Sequence, residues 1–229
     1  MMNLNLIILS LLIVLPTLSV KGQISNIQGL DNVVIRTRKY EDVRGSAYLY
    51  PEWTSGTLTD KAGKHYPNLQ LKYDAYLDRV ELNQDGQVLE INASAYPKFT
   101  LNFVEPGTNK IIKHTFSTGY EIKGFSKTSY FDLIRDGKIT LLKKYKTSFV
   151  DENLSGYGTS DQKKSFQTKI LYFVLLEDGS AKEIKLNKKS ILETFPEQSS
   201  NIEGFIKERK IKVKTEQDLI DIIEFLEAN

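Results

Sequence analysis

Hydrophobic and polar side chains alternate with a period of two over most of residues 31–186, and this pattern predicts β-strands. The stretch KFTLNFV at 98–104 is typical, because Phe99, Leu101 and Phe103 alternate with polar residues. Three Asp-Gly pairs lie between such runs, at 85–86, 136–137 and 178–179. Asp-Gly readily adopts the positive φ angles of a two-residue turn, so each pair predicts a β-hairpin.

These hairpins predict the architecture of the larger part of the chain. We expect an antiparallel β-meander of about ten strands, forming a curved sheet or a partial barrel over residues 23–186. Residues 117–127 and 151–167 lack hydrophobic periodicity and predict loops. A loop as long as the second one is either mobile or functional.

The periodicity changes to a helical one at residue 187. The spacing predicts two or three short helices, the first capped by Ser190 and the last by Thr215. In the last helix Leu219, Ile222 and Ile223 share one face. An apolar helix face needs an apolar partner, so we predict that segment 187–229 packs on the sheet in an α+β fold.

Residues 1–22 have the features of a secretory signal peptide. An apolar run of twelve residues at 4–15 precedes Pro16, and Val20 and Gly22 occupy the −3 and −1 positions of a cleavage before Gln23. The run is short for a membrane span, although retention of the leader as an anchor is the alternative. We therefore expect an exported protein, periplasmic or extracellular, that is soluble and has no transmembrane span after cleavage.

The amino-acid composition excludes several classes of functional site. The 229 residues include no cysteine, which excludes a disulfide framework, a thiolate metal site and a cysteine nucleophile. A net charge of +2 gives no global field for nucleic acid. The two histidines, His65 and His114, lack the spacing of a helical metal site, so we predict neither a metal site nor a cofactor. No nucleophile elbow or phosphate-binding loop is present in the sequence, and we predict no catalytic residue.

Charge is nevertheless distributed unevenly near the C-terminus. Residues 207–214 contain five basic side chains and one acid, and residues 215–229 contain five acids and no base. Neutralisation between these neighbours is the simpler interpretation. A basic patch for lipid headgroups or acidic glycans is the alternative.

The stretch GSAYLYPEWTSG at 45–56 contains the single tryptophan and is the candidate ligand-binding segment. Tyr48 and Tyr50 are two residues apart, so in a strand they point the same way, and Trp53 follows in a corner before Gly56. Aromatic rows of this kind pack in a core or across strands, or they stack on sugar rings or a protein partner. We name Tyr48, Tyr50 and Trp53 as the candidate ligand-binding residues.

Four stretches carry a resemblance to a known family: GSAYLYPEWTSGTL, GKHYPNLQLKYDAYLDRVEL, FDLIRDGKITLLKKY and the helical tail from 188 to 223. Their spacing of Gly, Tyr, Trp and Asp between strands, and the basic-then-acidic tail, resemble a family of exported, β-rich proteins of Gram-negative bacteria. No activity is known for that family. The resemblance therefore implies export and a β-rich fold with a helical end, and it implies no function.

Three function hypotheses follow. The first is an exported, non-enzymatic binding module with an unknown protein, glycan or lipid partner at the cell envelope. The second is a periplasmic carrier of an apolar ligand, by analogy with lipoprotein carriers that use a curved sheet. The third is a hydrolase with dispersed carboxylates, such as Asp78 with Glu81 or Asp132 with Asp136.

Overall fold

The structure, a computed structural model, describes residues 33–34, 43–152 and 163–228. Within these ranges it contains one twelve-stranded sheet followed by three α-helices. The predicted signal peptide at 1–22 and the centre of the second predicted loop, at 153–162, lie outside the described residues. The strands are β1 (Val33–Val34), β2 (Val43–Arg44), β3 (Thr54–Thr59), β4 (His65–Asp74), β5 (Arg79–Gln84), β6 (Gln87–Ile91), β7 (Lys98–Val104), β8 (Ile111–Ser117), β9 (Phe131–Arg135), β10 (Thr140–Glu152), β11 (Lys163–Leu175) and β12 (Ala181–Ile184). The helices are α1 (Lys188–Thr194), α2 (Ser199–Arg209) and α3 (Glu216–Ala228), with a 3-10 turn at Pro196–Gln198.

The strand order confirms the α+β class and refines the meander. The sheet runs β1-β6-β5-β4-β3-β7-β8-β9-β10-β11-β12 and is open, with β1 and β12 at its two ends. The order is not a single meander, because β7 pairs with β3 rather than with β6, its predecessor in the chain. The sheet is also not purely antiparallel, since β2 pairs with β11 in parallel. The ends of the predicted loop at 151–167 belong to β10 and β11.

Gly56 allows β3 to lie between two close neighbours. A Cβ atom on Gly56 would lie 2.3 Å from the carbonyl oxygen of Thr100 on β7 and 2.8 Å from Leu71 Cδ1 on β4. Any larger residue would force one of these strands away. The absent side chain therefore explains how β3 pairs with β4 on one edge and with β7 on the other in the interior of the sheet.

The three Asp-Gly pairs lie in three hairpins that differ in their turns. Asp85 and Gly86 both have positive φ and join β5 to β6 in the predicted two-residue turn. The other two hairpins, β9–β10 and β11–β12, have longer connections at 136–139 and 176–180. Gly137 does not adopt positive φ; instead its missing side chain leaves room for Glu227 of α3, whose Oε1 would lie 2.6 Å from a Cβ.

The main hydrophobic core lies on one face of strands β3–β8. Its centre is aromatic, because Tyr73, Phe99, Phe116 and Tyr130 are each at most 1% exposed and lie in ring contact. The rings of Phe99 and Phe116, for instance, are stacked with centroids 4.6 Å apart. Burial of each such side chain contributes on the order of 2 to 3 kcal/mol to folding.

The three helices pack on the strands at the other end of the sheet. Leu141, Val174 and Ile184 of β10–β12 form one buried cluster with helix residues such as Ile202 and Ile222. On the opposite side of these strands, Phe131 and Phe173 pack with residues of the loop at 118–130. Helices and loop therefore cover both faces of this part of the sheet.

The helix caps match the prediction in one case and correct it in the other. The Thr215 hydroxyl accepts from Asp218 N–H (3.1 Å), and the Asp218 carboxylate accepts from Thr215 N–H (3.1 Å), which is a reciprocal capping box. At α1 the prediction of Ser190 was wrong. The cap is Asn187, whose Oδ1 accepts from Ser190 N–H at 2.9 Å, because the helix begins three residues earlier than the periodicity indicated.

A buried ion pair joins distant parts of the sheet. The Lys144 ammonium on β10, 3% exposed, lies 2.6 Å from Asp78 Oδ1 in the β4–β5 turn. It also donates to the Tyr130 carbonyl (2.8 Å) and to the Tyr73 hydroxyl (3.1 Å). Burial lowers the pKa of Lys144, and the charge of Asp78 opposes that shift. The β4–β5 turn is thus held against β10, which curves the sheet.

Candidate functional site

Residues 45–53 of the candidate segment lie alongside the end of β4 without forming a regular strand. Tyr48 makes an isolated bridge to Asp74, and Leu49 N–H donates to the Tyr73 carbonyl at 3.0 Å. Bends on both sides of the bridge break the strict alternation of side chains. The prediction that Tyr48 and Tyr50 point the same way was therefore wrong, since the two rings contact different parts of the sheet.

Tyr48 and Trp53 lie on the polar face of β4–β6, which we call the outer face. Register places Lys72, Glu81 and Glu90 side by side on this face. The Lys72 ammonium lies 5.1 Å from the Tyr48 ring centroid and 4.9 Å from the Trp53 ring. This cation–π arrangement fixes both half-buried rings beside one positive charge.

A carboxylate network continues this surface from Tyr48. The Tyr48 hydroxyl donates to Glu81, with oxygen distances of 3.2 and 3.4 Å. The Arg79 guanidinium lies 2.8 Å from both Glu81 and Glu90 and 3.5 Å from Asp74. Three carboxylates thus share one guanidinium.

Burial sets the protonation of this network. Asp74 and Glu81 are at most 1% exposed, and burial raises the pKa of each, although Arg79 acts in the opposite direction. Burial and the Glu81 charge also raise the pKa of Tyr48. The Tyr48 hydroxyl therefore remains a hydrogen-bond donor at neutral pH.

A cavity of about 390 Å³ adjoins the network, and Arg79 and Glu90 line both. Further lining comes from the β4–β5 turn, the end of β6 with the segment after it, and the loop before β9. Half of these residues are polar (Asp78, Asn92, Ser94 and Thr128), and the others are Leu77, Ile91, Ala93 and Tyr130. We call the surface and cavity together the outer-face site. It comprises Tyr48, Trp53, Lys72, Arg79, Glu81 and Glu90 with the cavity beside them.

Tyr50 belongs to a different network, on the core side of the sheet. Its ring stacks on Phe103 with centroids 3.7 Å apart. Its hydroxyl lies 2.6 Å from His114 Nε2, and His114 Nδ1 lies 2.6 Å from Asp132 Oδ2. Because an ionised carboxylate only accepts, Nδ1–H donates to Asp132, and in the neutral ring Nε2 accepts a hydrogen bond from the Tyr50 hydroxyl.

This Tyr50–His114–Asp132 network anchors the candidate segment. His114 and Asp132 are 8% and 1% exposed, and Asp132 also accepts from Thr115 N–H (3.0 Å). Burial, followed by the charge of Asp132, raises the pKa of Tyr50 to about 12. Tyr50 therefore holds the segment down, whereas Tyr48 and Trp53 remain at the surface.

Sequence reasoning did not find this network, although one signal of it was present. On β8, His114 lies between Ile112 and Phe116 in the row that faces the core. A polar side chain in an apolar row indicates a buried partner. The partner Asp132 lies 18 residues away, so only the fold could identify it.

The carboxylate pairs of the hydrolase hypothesis are used separately. Asp132 binds His114, whereas Asp136 follows the end of β9. Asp78 binds Lys144, whereas Glu81 binds Arg79 and Tyr48. Asp78, Glu81 and Asp132 therefore each have different side-chain partners.

The described residues contain neither a metal-binding cluster nor a membrane-spanning helix, and comparison with known proteins finds no match. Within 43–152 and 163–228, no group of three His, Asp or Glu side chains could hold a metal ion. None of the described helices has both the length and the apolar character needed to cross a bilayer. Comparison with known proteins finds no family model, no curated protein and no solved structure that matches the chain. The resemblance to an exported family of Gram-negative bacteria therefore stays a prediction.

Proposed function

We propose that the protein is an exported, non-enzymatic binding module that recognises a glycan through the outer-face site. The observation that carries this proposal is the continuity of three elements: the Tyr48 and Trp53 rings, the Arg79 carboxylate network and the polar cavity. Each element suits a different part of a sugar.

The chemistry of the outer-face site matches that of a sugar. The apolar C–H face of a sugar ring stacks on an aromatic side chain, and Trp53 and Tyr48 present two of them. Sugar hydroxyls pair with carboxylates and with a guanidinium, and the Glu90–Arg79 pair provides both. A cavity of about 390 Å³ is within the usual range for small-ligand pockets and holds one or two sugar units.

The same network favours binding over catalysis. A general acid and a general base need to exchange protons with substrate at their working pH. Glu81 is 1% exposed and is paired with Arg79, so its carboxylate supports Tyr48 and Arg79 from beneath. The site thus has the character of a rigid recognition surface.

A glycan array with the purified protein tests this proposal. We expect the parent to bind a defined set of glycans and Trp53→Ala to bind them at least tenfold more weakly, a loss of about 1.4 kcal/mol. Trp53→Phe retains a ring and should recover part of the binding. Phe225→Ala, which removes a half-buried ring stacked on Phe205 at the helical end of the molecule, is the matched control and should bind like the parent.

Equal binding by the parent and Trp53→Ala would contradict the proposal. A parent that binds no glycan would contradict it too, and would direct the search to a protein partner for the same surface. Thermal unfolding of each variant separates a binding defect from a folding defect.

The carrier hypothesis gains less from the structure. An apolar ligand would need the core face of the sheet, which is occupied by the protein's own aromatic side chains; the ring centroids of Tyr73 and Phe116, for example, are 4.8 Å apart. Mass spectrometry of organic extracts from the purified protein tests this alternative directly. A co-purifying lipid in stoichiometric amount would favour the carrier over the glycan-binding module.

A further inference from the structure

The last turn of α2 and the segment that joins it to α3 concentrate unpaired positive charge. Lys207, Arg209, Lys210, Lys212 and Lys214 are all exposed, and Glu208 is the one acid among them. Within the described parts of the chain, none of the five basic side chains forms an ion pair or a hydrogen bond. We call residues 207–214 the basic loop.

The acids that follow the basic loop are engaged elsewhere. Glu216 pairs with the Lys143 ammonium at 2.8 Å and accepts from the Tyr172 hydroxyl at 3.1 Å, both on the sheet. Asp218 accepts from the backbone N–H groups of Lys214 and Thr215 and caps α3. The predicted neutralisation between neighbouring side chains is therefore absent from the described residues, because the sheet and the helix cap compete for the acids.

The backbone holds the basic loop in a fixed shape. Lys210 adopts the left-handed conformation that ends α2, and Ile211 N–H donates to the Ile206 carbonyl at 3.0 Å. Val213, 1% exposed, is buried in the helical core. This anchor makes the lysines on both sides of Val213 project outward from a rigid base.

A groove with both aromatic and charged lining residues adjoins the basic loop. Phe205 of α2 and Phe225 of α3 stack with centroids 4.3 Å apart and line a groove of about 450 Å³. Arg209 and Ile211 of the basic loop line the same groove. Asp221 and Glu224 also line the groove; Glu224 lies 3.8 Å from Arg135, and Asp221 accepts a hydrogen bond from the neutral Gln217 amide.

We propose that the basic loop docks on an anionic lipid surface. The five basic side chains would contact phosphate groups of the lipid headgroups, and Ile211 and the groove would lie at the apolar boundary beneath them. Charge alone suits any polyanion, whereas charge beside the half-buried apolar side chains of Phe205, Ile211 and Phe225 suits a membrane interface. This docking uses the helical end of the molecule and is independent of the outer-face site.

Vesicle co-sedimentation tests this proposal. The probes are vesicles of phosphatidylcholine with and without phosphatidylglycerol. We expect the parent to sediment at least tenfold more with the anionic vesicles and to be released as salt increases. Lys210→Glu/Lys212→Glu should reduce this binding at least tenfold.

The matched control is Lys110→Glu/Lys113→Glu, which makes the same change in net charge at exposed lysines of the β7–β8 hairpin. It should bind anionic vesicles at least half as well as the parent. Trp53→Ala should also bind the vesicles normally, so this proposal and the glycan proposal fail separately. Equal losses in the two double variants would contradict docking by the basic loop.

Ile211→Ser separates a lipid surface from other polyanions. We expect this variant to lose several-fold in vesicle binding while its retention on immobilised heparin stays unchanged, because heparin offers no apolar phase. If Ile211→Ser binds vesicles as well as the parent, or if the parent ignores anionic vesicles, the lipid proposal is overturned.

Discussion

At the scale of single residues, two tyrosines only two positions apart have different tasks. Tyr48 donates to Glu81 on the outer face, and Tyr50 donates to His114 on the core side. The bends around the bridge at Tyr48 allow this division. All three rings are half-buried, and the contacts of Tyr50 on the core side help to position those of Tyr48 and Trp53 on the outer face.

This anchor predicts a stability difference between two substitutions. His114→Leu leaves the Asp132 carboxylate, 1% exposed, without its main partner, so we expect a loss of about 3 kcal/mol. Tyr50→Phe keeps the stacking on Phe103 and removes one hydroxyl, so we expect a loss of about 1 kcal/mol. Urea unfolding measures both, and equal effects would show that His114 has no special role in holding Asp132.

At the scale of elements, the start of α1 depends on a residue that hydrophobic spacing does not reveal. The helix begins at Lys188, and Asn187 supplies the cap by accepting from Ser190 N–H. Ser190 instead accepts from Lys185 N–H at 2.9 Å, which secures the chain between β12 and the helix. Ser190 therefore does not mark the start of α1, because Asn187, three residues earlier, supplies the cap.

We expect Asn187→Ala to reduce the free energy of unfolding by about 1 kcal/mol, because Ser190 N–H loses its acceptor. Asn187→Asp keeps an acceptor and should stay close to the parent. The control is Asn201→Ala in α2, where the side chain bonds only Gln198 in solvent and should change stability by less than about 0.5 kcal/mol. Urea unfolding measures the free energy of unfolding of the three variants. If Asn187→Ala leaves it unchanged, Asn187 does not act as a stabilising cap.

At the scale of the whole molecule, the Lys144–Asp78 pair connects β10 with the β4–β5 turn, which are far apart in the strand order. Thr147 N–H also donates to the Ala75 carbonyl at 3.4 Å beside it. The chain segment at 43–50 spans the same interval, since β2 pairs with β11 and Tyr48 pairs with Asp74. These contacts bend an open sheet around its aromatic core.

A double-mutant cycle tests the pair. Asp78→Asn tolerates the positive φ of this position, but it leaves the buried ammonium without a counter-charge, so we expect a loss of about 3 kcal/mol. Lys144→Met should restore part of that stability in the double variant, which gives a coupling energy above about 1 kcal/mol. The exposed pair Lys188–Glu203, 2.7 Å apart, is the control, with an expected coupling below about 0.5 kcal/mol. Similar couplings for both pairs would mean that Lys144–Asp78 does not hold the sheet in its curve.

The sequence by itself determined the features that depend on neighbours in the chain. Alternation of side chains identified the strands because a strand places residues i and i+2 on one face. Asp85-Gly86 identified its turn, and Thr215 identified a helix start, because each acts within four residues. These local rules were sufficient for the α+β class and for the order of strands before helices.

Only the tertiary structure decided which distant residues meet. The pairing of β3 with β7 depends on close packing at Gly56, and the partner of His114 comes from the next strand in the sheet. The surface around Tyr48 and Trp53 joins Arg79 to a cavity built from three separate segments. Such contacts form between residues far apart in the chain. The hydrophobic periodicity of one segment does not depend on which distant segment packs against it, so the sequence pattern does not reveal the partner.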